Sequence, residues 1–205
     1  MSTVVRTAVK RAAATRAPTS PAAGKIARNA AATAAAAPPR TLTSSVSLTE
    51  LMHAYRVEVP KLVAESTGKG SRPGTPMQRA VWAAVYCVPK GYVGTYASIG
   101  YAAKWILKNE NNDTIDEHRT PEDDNIERPG GLFAQSVGQA LKRNPAAPLV
   151  PCHRCVRVDG NIGGFCGHTT GDDIHRKVAL LRSEGAQVNA DRDTFRVART
   201  SMLTL

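Results

Sequence analysis

The spacing of apolar residues predicts a series of helices after residue 47. Residues 48–67 carry large apolar side chains at helical spacing, which predicts a short amphipathic helix that Pro60 interrupts. A linker rich in Gly, Ser and Pro follows at 68–74. The next helix is predicted to begin with Thr75 as N-cap and Pro76 in the first helical position. Further helices are predicted at 97–107, 132–143 and 174–183.

Two stretches favour extended structure. Val93 to Tyr96 is predicted as a short extended piece, and weak alternation over 187–199 predicts a small hairpin around Asp191 to Asp193. The fold class that follows is mainly α with a short β element, in a domain that spans residues 75–199.

Residues 1–47 are predicted to be a disordered basic tail. Residues 1–49 contain seven Lys/Arg, long Ala runs and no Asp or Glu, so they lack the apolar side chains that a core needs. The composition resembles a mitochondrial transit peptide, and it equally suits a basic tail that keeps the protein near DNA in the nucleus. Both localisations stay open. No apolar run is long enough for a membrane span, so we expect no membrane partner.

The charges are distributed unevenly along the chain. The formal net charge is +10, yet eight of the 17 acids lie between Glu110 and Glu127. The segment 109–131 is therefore predicted as a long, acidic inserted loop that projects outward or acts as a gate. The basic remainder favours a polyanionic partner, nucleic acid before membrane.

Cys152 is the centre of the candidate chemistry. A thiol attacks carbon only as a thiolate, and His153 beside it can take the proton directly or through water. Glu184 is the best candidate for a carboxylate that orients His153, and the Asn144 amide can fix a turn at a helix end. An ordinary buried Cys-His pair is the alternative. A zinc site from Cys152, Cys155, Cys166 and His168 fits no reliable ligand spacing, so we expect no metal.

A set of short motifs in one order resembles a known family. The chain is similar to the C-terminal domain of the methylated-DNA–protein-cysteine methyltransferases, or O6-alkylguanine-DNA alkyltransferases, from Thr75 to about Gly185 with 109–131 as an insert. The matching stretches are Thr75–Trp82, Pro89–Gly91, Thr95–Tyr96, Val137–Ala140, Asn144–Pro145, Pro151–Arg154, Ile162–Phe165 and Leu180–Gly185.

The resemblance implies a single-turnover enzyme that repairs DNA. Cys152 would accept the alkyl group from O6-alkylguanine, with His153 as base through water, Glu184 orienting His153 and Asn144 bracing the site. No cofactor is implied, and we expect a monomer that acts on double-stranded DNA. The implied fold is a winged-helix-like helix-turn-helix domain.

The resemblance also implies how DNA is handled. Tyr96 would press on the backbone at the lesion and help turn the nucleotide out of the stack. The helix 132–143 would enter the minor groove. The implied DNA contacts are Tyr96, Gln135, Ser136, Gly138, Lys142, Arg143 and Arg154. The implied pocket residues are Leu141, Phe165, Cys166 and Gly167.

Several positions depart from the family pattern. Gln135 stands where the family usually has an Arg that fills the space of the flipped base, which implies weaker flipping or altered lesion preference. Cys155 replaces an apolar residue, and its thiol either pairs with Cys152 under oxidation or is inert. Cys166 stands where a hydroxyl residue is common. The acidic insert would oppose DNA binding, so its deletion is expected to tighten binding and steepen the salt dependence.

Two other functions remain as alternatives. A non-enzymatic alkyltransferase-like protein would bind damaged DNA without transfer, but such proteins typically lack the acceptor cysteine. A cysteine hydrolase using Cys152 and His153 would leave the helix 132–143 and the Thr75–Trp82 match unexplained.

Overall fold

A computed structural model describes residues 45–67, 74–116, 118–128, 130–191 and 194–203. The tail up to residue 44 and most of the 68–74 linker lie outside these ranges, as does the tip of the predicted hairpin. The described part is mainly helical, as predicted, and it contains two small sheets. Within it, every helix is too short or too polar to cross a membrane.

The first helical segment does not stop at its proline. Helix α1 (Leu48–His53) runs into a π-helical turn (Ala54–Glu58) and then into α2 (Val59–Thr67), which contains Pro60. The prediction that Pro60 interrupts the helix is therefore wrong. A proline ring clashes with the carbonyl four residues before it, and the wider π turn directly ahead accommodates the ring without ending the helix.

This first segment belongs to the same core as the rest of the domain. Its inward face packs with the helices that follow, so the packed unit is larger than the predicted 75–199. Its buried side chains are Leu48, Leu51, Met52, Ala54, Tyr55, Val59 and Val63.

Three further helices form the centre of the fold. They are α3 (Pro76–Tyr86), α4 (Tyr96–Lys108) and α5 (Gly131–Lys142). Helix α3 begins as predicted, because the Thr75 side chain accepts from the Gln78 amide with Pro76 in the first turn. The buried indole of Trp82 donates to the Ala140 carbonyl over 2.9 Å. This bond fixes α5 against α3.

A three-stranded parallel sheet joins three distant parts of the chain. Strand β1 (Val93–Thr95) pairs on one side with β2 (Cys155–Val156) and on the other with β5 (Met202–Leu203). The hydrophobic pattern predicted β1 but missed β5, because a two-residue strand has no measurable alternation. The sheet places the turn before β2, which contains Cys152, beside the start of α4.

The C-terminal part supplies a second, smaller apolar cluster. Helix α6 (Asp172–Ser183) is followed by the antiparallel strands β3 (Val188–Asp191) and β4 (Thr194–Val197), which confirms the predicted hairpin. Ile174, Val178 and Leu181 on α6 pack with residues of this hairpin and of the sheet. Helix α6 is thereby held against the turn that contains Cys152.

The acidic segment between α4 and α5 packs against the domain. The buried Asp124 carboxylate accepts from the Trp105 indole over 2.6 Å and from the Asn109 amide over 2.8 Å. Arg119 forms an ion pair with the same carboxylate. At the start of the segment, the Tyr55 hydroxyl donates to Glu110 over 2.6 Å. The expectation that the segment projects outward is wrong, because its first acid and Asp124 are both bonded to the helical core.

We predict that Asp124→Ala lowers the free energy of unfolding by about 3 kcal/mol, because it leaves the Trp105 indole buried without an acceptor and removes one of the two acceptors of the Asn109 amide. Burial alone raises the pKa of Asp124, but hydrogen bonds from Asn109, Trp105 and Arg119 outweigh it and hold the pKa below its usual value. The contribution is thus present above the pKa of an unfolded Asp and is lost as the pH falls through the folded pKa.

Urea unfolding at several pH values measures the loss in free energy of unfolding and its pH dependence. Asp113→Ala, at an exposed position of the same segment, is the control. Equal stability of the two variants at neutral pH would contradict the role of Asp124.

Candidate active site

Cys152 opens a short 3-10 turn (Cys152–Arg154) that leads directly into β2. Its side chain is half-buried. Asn144, just after α5, donates from its amide to the Val150 carbonyl over 2.8 Å and accepts from the Ala146 amide over 3.0 Å. The Asn144 side chain also lowers the pKa of the nearby Cys152 thiol, in opposition to burial. Asn144 therefore fixes the loop before the cysteine.

The two residues after Cys152 bind one carboxylate. His153 Nε2 lies 3.0 Å from Glu184 Oε1, and the His153 side chain is almost fully buried. Arg154 donates from Nε to Glu184 Oε2 and from Nη2 to Oε1, both over 2.7 Å. Glu184 caps the C-terminal end of α6. The chain thus brings together the cysteine, histidine and glutamate that the sequence singled out.

Arg154 was predicted to contact DNA, but the structure places its side chain in the interior. It is only 8% exposed, and its remaining Nη1 donates to the Val88 carbonyl over 2.6 Å. Two of its nitrogens are engaged by Glu184, so the guanidinium faces the interior and not a phosphate. Its role is to hold the carboxylate that holds His153.

Burial and pairing set the protonation states at this site. Burial alone raises the pKa of Glu184, but hydrogen bonds from Arg154 and His153 outweigh it and lower the pKa, so the carboxylate is ionised. Burial lowers the pKa of His153 more than Glu184 raises it, which keeps the imidazole neutral at pH 7. When the Nε2–H group donates a hydrogen bond to Glu184, Nδ1 retains a free electron pair.

The Cys152 thiol needs a base in order to react. Burial raises its pKa, and the Asn144 side chain opposes this only in part. The resting sulfur is therefore protonated, and neutral His153 is the adjacent group that can take the proton.

Cys152 faces a cavity of about 240 Å³ between α5 and the loop before α6. All four predicted pocket residues and three of the predicted DNA contacts meet here. The cavity is lined by Tyr96, Gly138, Gln139, Leu141, Lys142, Cys152, Gly164, Phe165, Cys166, Gly167, His168 and Thr169. Three other predicted DNA contacts, Gln135, Ser136 and Arg143, line a separate groove between the exposed face of α5 and the start of α3.

A buried lysine that the sequence reasoning missed holds the pocket loop. Lys177 Nζ donates to the carbonyls of Cys155, Ile162 and Gly164 over 2.6, 2.7 and 3.2 Å. Burial lowers its pKa to about 8. The sequence did indicate that this lysine is buried, because it lies in the apolar stripe of α6, three residues after Ile174 and four before Leu181.

The other cysteines differ sharply in exposure. Burial raises the pKa values of Cys87 and Cys155 to about 12, which makes both poor nucleophiles. Cys155 is fully buried, which favours the inert reading of this thiol. Cys166 is exposed at the cavity. The described residues include no cluster of three or more His, Cys, Asp or Glu side chains placed to hold a metal ion.

Comparisons with known proteins point to the same part of the chain. A family model described as "6-O-methylguanine DNA methyltransferase, DNA binding domain" matches residues 124–186. That range contains α5, Cys152 and Glu184. The predicted resemblance to the alkyltransferase C-terminal domain is confirmed.

Curated relatives share the name methylated-DNA–protein-cysteine methyltransferase. The Mycobacterium bovis protein is 32% identical over 122 residues, covering 60% of this chain and 56% of the relative. The Salmonella typhimurium protein is 34% identical over 112 residues, covering 55% and 48%. A crystal structure of the Mycobacterium tuberculosis O6-methylguanine methyltransferase matches at 32% identity with a TM-score of 0.36, covering 58% of this chain and 53% of that one. The chain spans about half the length of the curated relatives it matches.

We predict that Glu184→Gln slows alkylation of Cys152 by iodoacetamide about 100-fold at pH 7.5. A glutamine can present an N–H to His153 Nε2, which moves the imidazole proton to Nδ1 and removes the base. Peptide mass spectrometry resolves Cys152 from the exposed Cys166, which serves as an internal reference.

Glu65→Gln, at an exposed position on α2, is the matched control. Circular dichroism establishes that both variants are folded. A folded Glu184→Gln variant that reacts at the wild-type rate would contradict the proton relay.

Proposed function

We propose that the chain repairs DNA by transferring an alkyl group, typically methyl, from O6 of guanine to Cys152. The observation that carries this proposal is that Cys152 lines a cavity and is followed directly by His153, whose ring lies 3.0 Å from the Glu184 carboxylate. An acceptor of this kind needs a base and a place for the alkylated group.

The proposed transfer is a single displacement. His153 takes the thiol proton through a water, and the thiolate attacks the alkyl carbon. A carbon–sulfur bond forms, the carbon–O6 bond breaks, and its electron pair leaves with the guanine. Tyr96 lines the same cavity, and burial raises its pKa, so its hydroxyl stays protonated and can donate to the departing base. The thioether is stable, so each molecule reacts once.

We further propose that α4 and α5 form a helix-turn-helix in a winged-helix-like domain, with the β3–β4 hairpin as its wing. Helix α5 would enter the minor groove of duplex DNA. Gln135, Ser136, Lys142 and Arg143 have exposed side chains on or just after this helix, and the last two are basic. Such side chains suit phosphate and groove contacts. The protein would act as a monomer.

Gln135 bears on how the base reaches Cys152. Its side chain is exposed on α5, beside the groove that Arg143 also lines. A glutamine can hydrogen bond the orphaned base but adds no positive charge. We therefore propose that this chain turns the nucleotide out less readily than a relative with arginine at the same position.

Mass spectrometry after incubation with a duplex containing O6-methylguanine tests the proposal. The expected result is a gain of one methyl group on Cys152 and no further gain with excess duplex. A duplex with unmodified guanine and the Cys152→Ala variant are the controls. Binding of the methylated duplex without a mass change would contradict the transfer and favour a non-enzymatic damage-binding protein.

A further inference from the structure

A second acid–histidine pair lies at the rim of the Cys152 cavity. His168 Nδ1 is 2.6 Å from Asp173 Oδ2, and His168 lines the same cavity as Cys152. The His168 side chain is 68% exposed, so it marks the mouth of the cavity. The proposed alkyl transfer uses neither residue.

The backbone fixes His168 at this place. Phe165 and His168 exchange amide-to-carbonyl hydrogen bonds of 2.8 and 2.9 Å across a two-residue turn. The turn residues Cys166 and Gly167 have φ values of 51° and 92°. Two successive positive φ values are typical of a type I′ turn, the tight connection in hairpins. Lys177 anchors the same loop through the Gly164 carbonyl.

The ring of His168 is oriented as well as placed. A carboxylate accepts hydrogen bonds, so the contact with Asp173 places a proton on Nδ1. Nε2 is then the ring atom that can meet a ligand. When the imidazole is protonated, Nε2 donates while Asp173 continues to hold Nδ1.

Lys142 brings an ammonium group to this edge, beside the His168 ring. A carbon atom added at Gly167 would lie 3.2 Å from Lys142 Nζ, so the ammonium rests on the turn next to His168. The titratable groups around the turn are then Lys142, His168 and Asp173, with the exposed Asp172 one residue before Asp173. The Asp173 carboxylate is hydrogen bonded to His168, so the Lys142 ammonium is available to bind an anion.

We propose that His168 Nε2 and Lys142 Nζ bind the phosphate of the nucleotide that is turned into the pocket, with Asp173 as the positioning residue. This rests on the proposed function. A base turned into the cavity leaves its phosphates at the mouth, where the His168 ring and the Lys142 ammonium lie. With the phosphate bound, the imidazolium would sit between two anions, an arrangement that charge-assisted hydrogen bonds favour. The rim thus selects a nucleotide within a DNA strand over a free base.

The test compares one substrate with a phosphate and one without. Rates of Cys152 alkylation are measured with a duplex containing O6-methylguanine and with the free base O6-benzylguanine, for the wild type and His168→Ala. Duplex affinity is measured against salt concentration in a Cys152→Ala background, where no transfer occurs. His175→Ala is the matched control, because His175 is exposed on α6 and packs edge-on against Phe195 instead of lining the cavity.

We expect His168→Ala to weaken duplex binding about three- to tenfold and to reduce the slope of log affinity against log salt by about 0.9, the value for one lost phosphate contact. Transfer from the duplex should slow at sub-saturating concentrations, while the reaction with O6-benzylguanine and all His175→Ala values stay unchanged.

Equal losses with both substrates would overturn the proposal, because they would mean that His168 only supports the loop. An unchanged salt slope would also overturn it. If neither substrate alkylates Cys152 of the wild type, the proposed function fails. The slope of log affinity against log salt for His168→Ala still decides whether His168 contacts a phosphate.

Discussion

The Glu184 carboxylate is the constraint on which the site depends. It lies at the end of α6 and accepts from both His153 and Arg154, the two residues that follow Cys152. An ionised carboxylate this close to the interior is stable only because Arg154 neutralises it, and Arg154 in turn is bonded to the Val88 carbonyl after α3. Because burial keeps His153 neutral despite the glutamate, His153 is available as a base at neutral pH. The Cys152 thiol itself stays protonated until His153 takes its proton.

The rest of the fold fixes the position of the Glu184 carboxylate relative to the Cys152 sulfur. The parallel pairing of β1 with β2 fixes the turn that contains Cys152 against the start of α4, where Tyr96 lies. Lys177 ties α6 to the β2 backbone and to the pocket loop, so the helix that carries Glu184 also shapes the cavity. Asn144 joins the end of α5 to the loop before Cys152. The helix proposed to meet DNA and the nucleophile are therefore connected by a few short hydrogen bonds.

Local signals made much of this predictable from the sequence. The Thr75-Pro76 start of α3, the helical spacing in α4 to α6 and the Cys152-His153 pair are each signalled by residues close together in the chain. Glu184 and Asn144 were candidates on their residue types, and the family resemblance implied the same roles for them. What failed depended on distant partners. Pro60 predicts a helix end, but the π turn ahead of it lets the helix continue. Arg154 was predicted as a DNA contact, but it pairs with Glu184 from a distant helix. The acidic segment was predicted to project, but Asp124 accepts hydrogen bonds from Trp105 and Asn109 in the helical core. The two-residue strand β5 is defined only by its pairing with β1.

The central claim is that His153 is a neutral imidazole with its proton on Nε2 and a free electron pair on Nδ1. Nitrogen-15 NMR of selectively labelled histidine reads this directly, with His153→Gln used to assign the signal. We expect an Nε2–H tautomer at pH 7 that becomes charged only below pH 6.5, because burial lowers the pKa of His153 from that value. An imidazolium at pH 7, or a neutral ring with its proton on Nδ1, would contradict it.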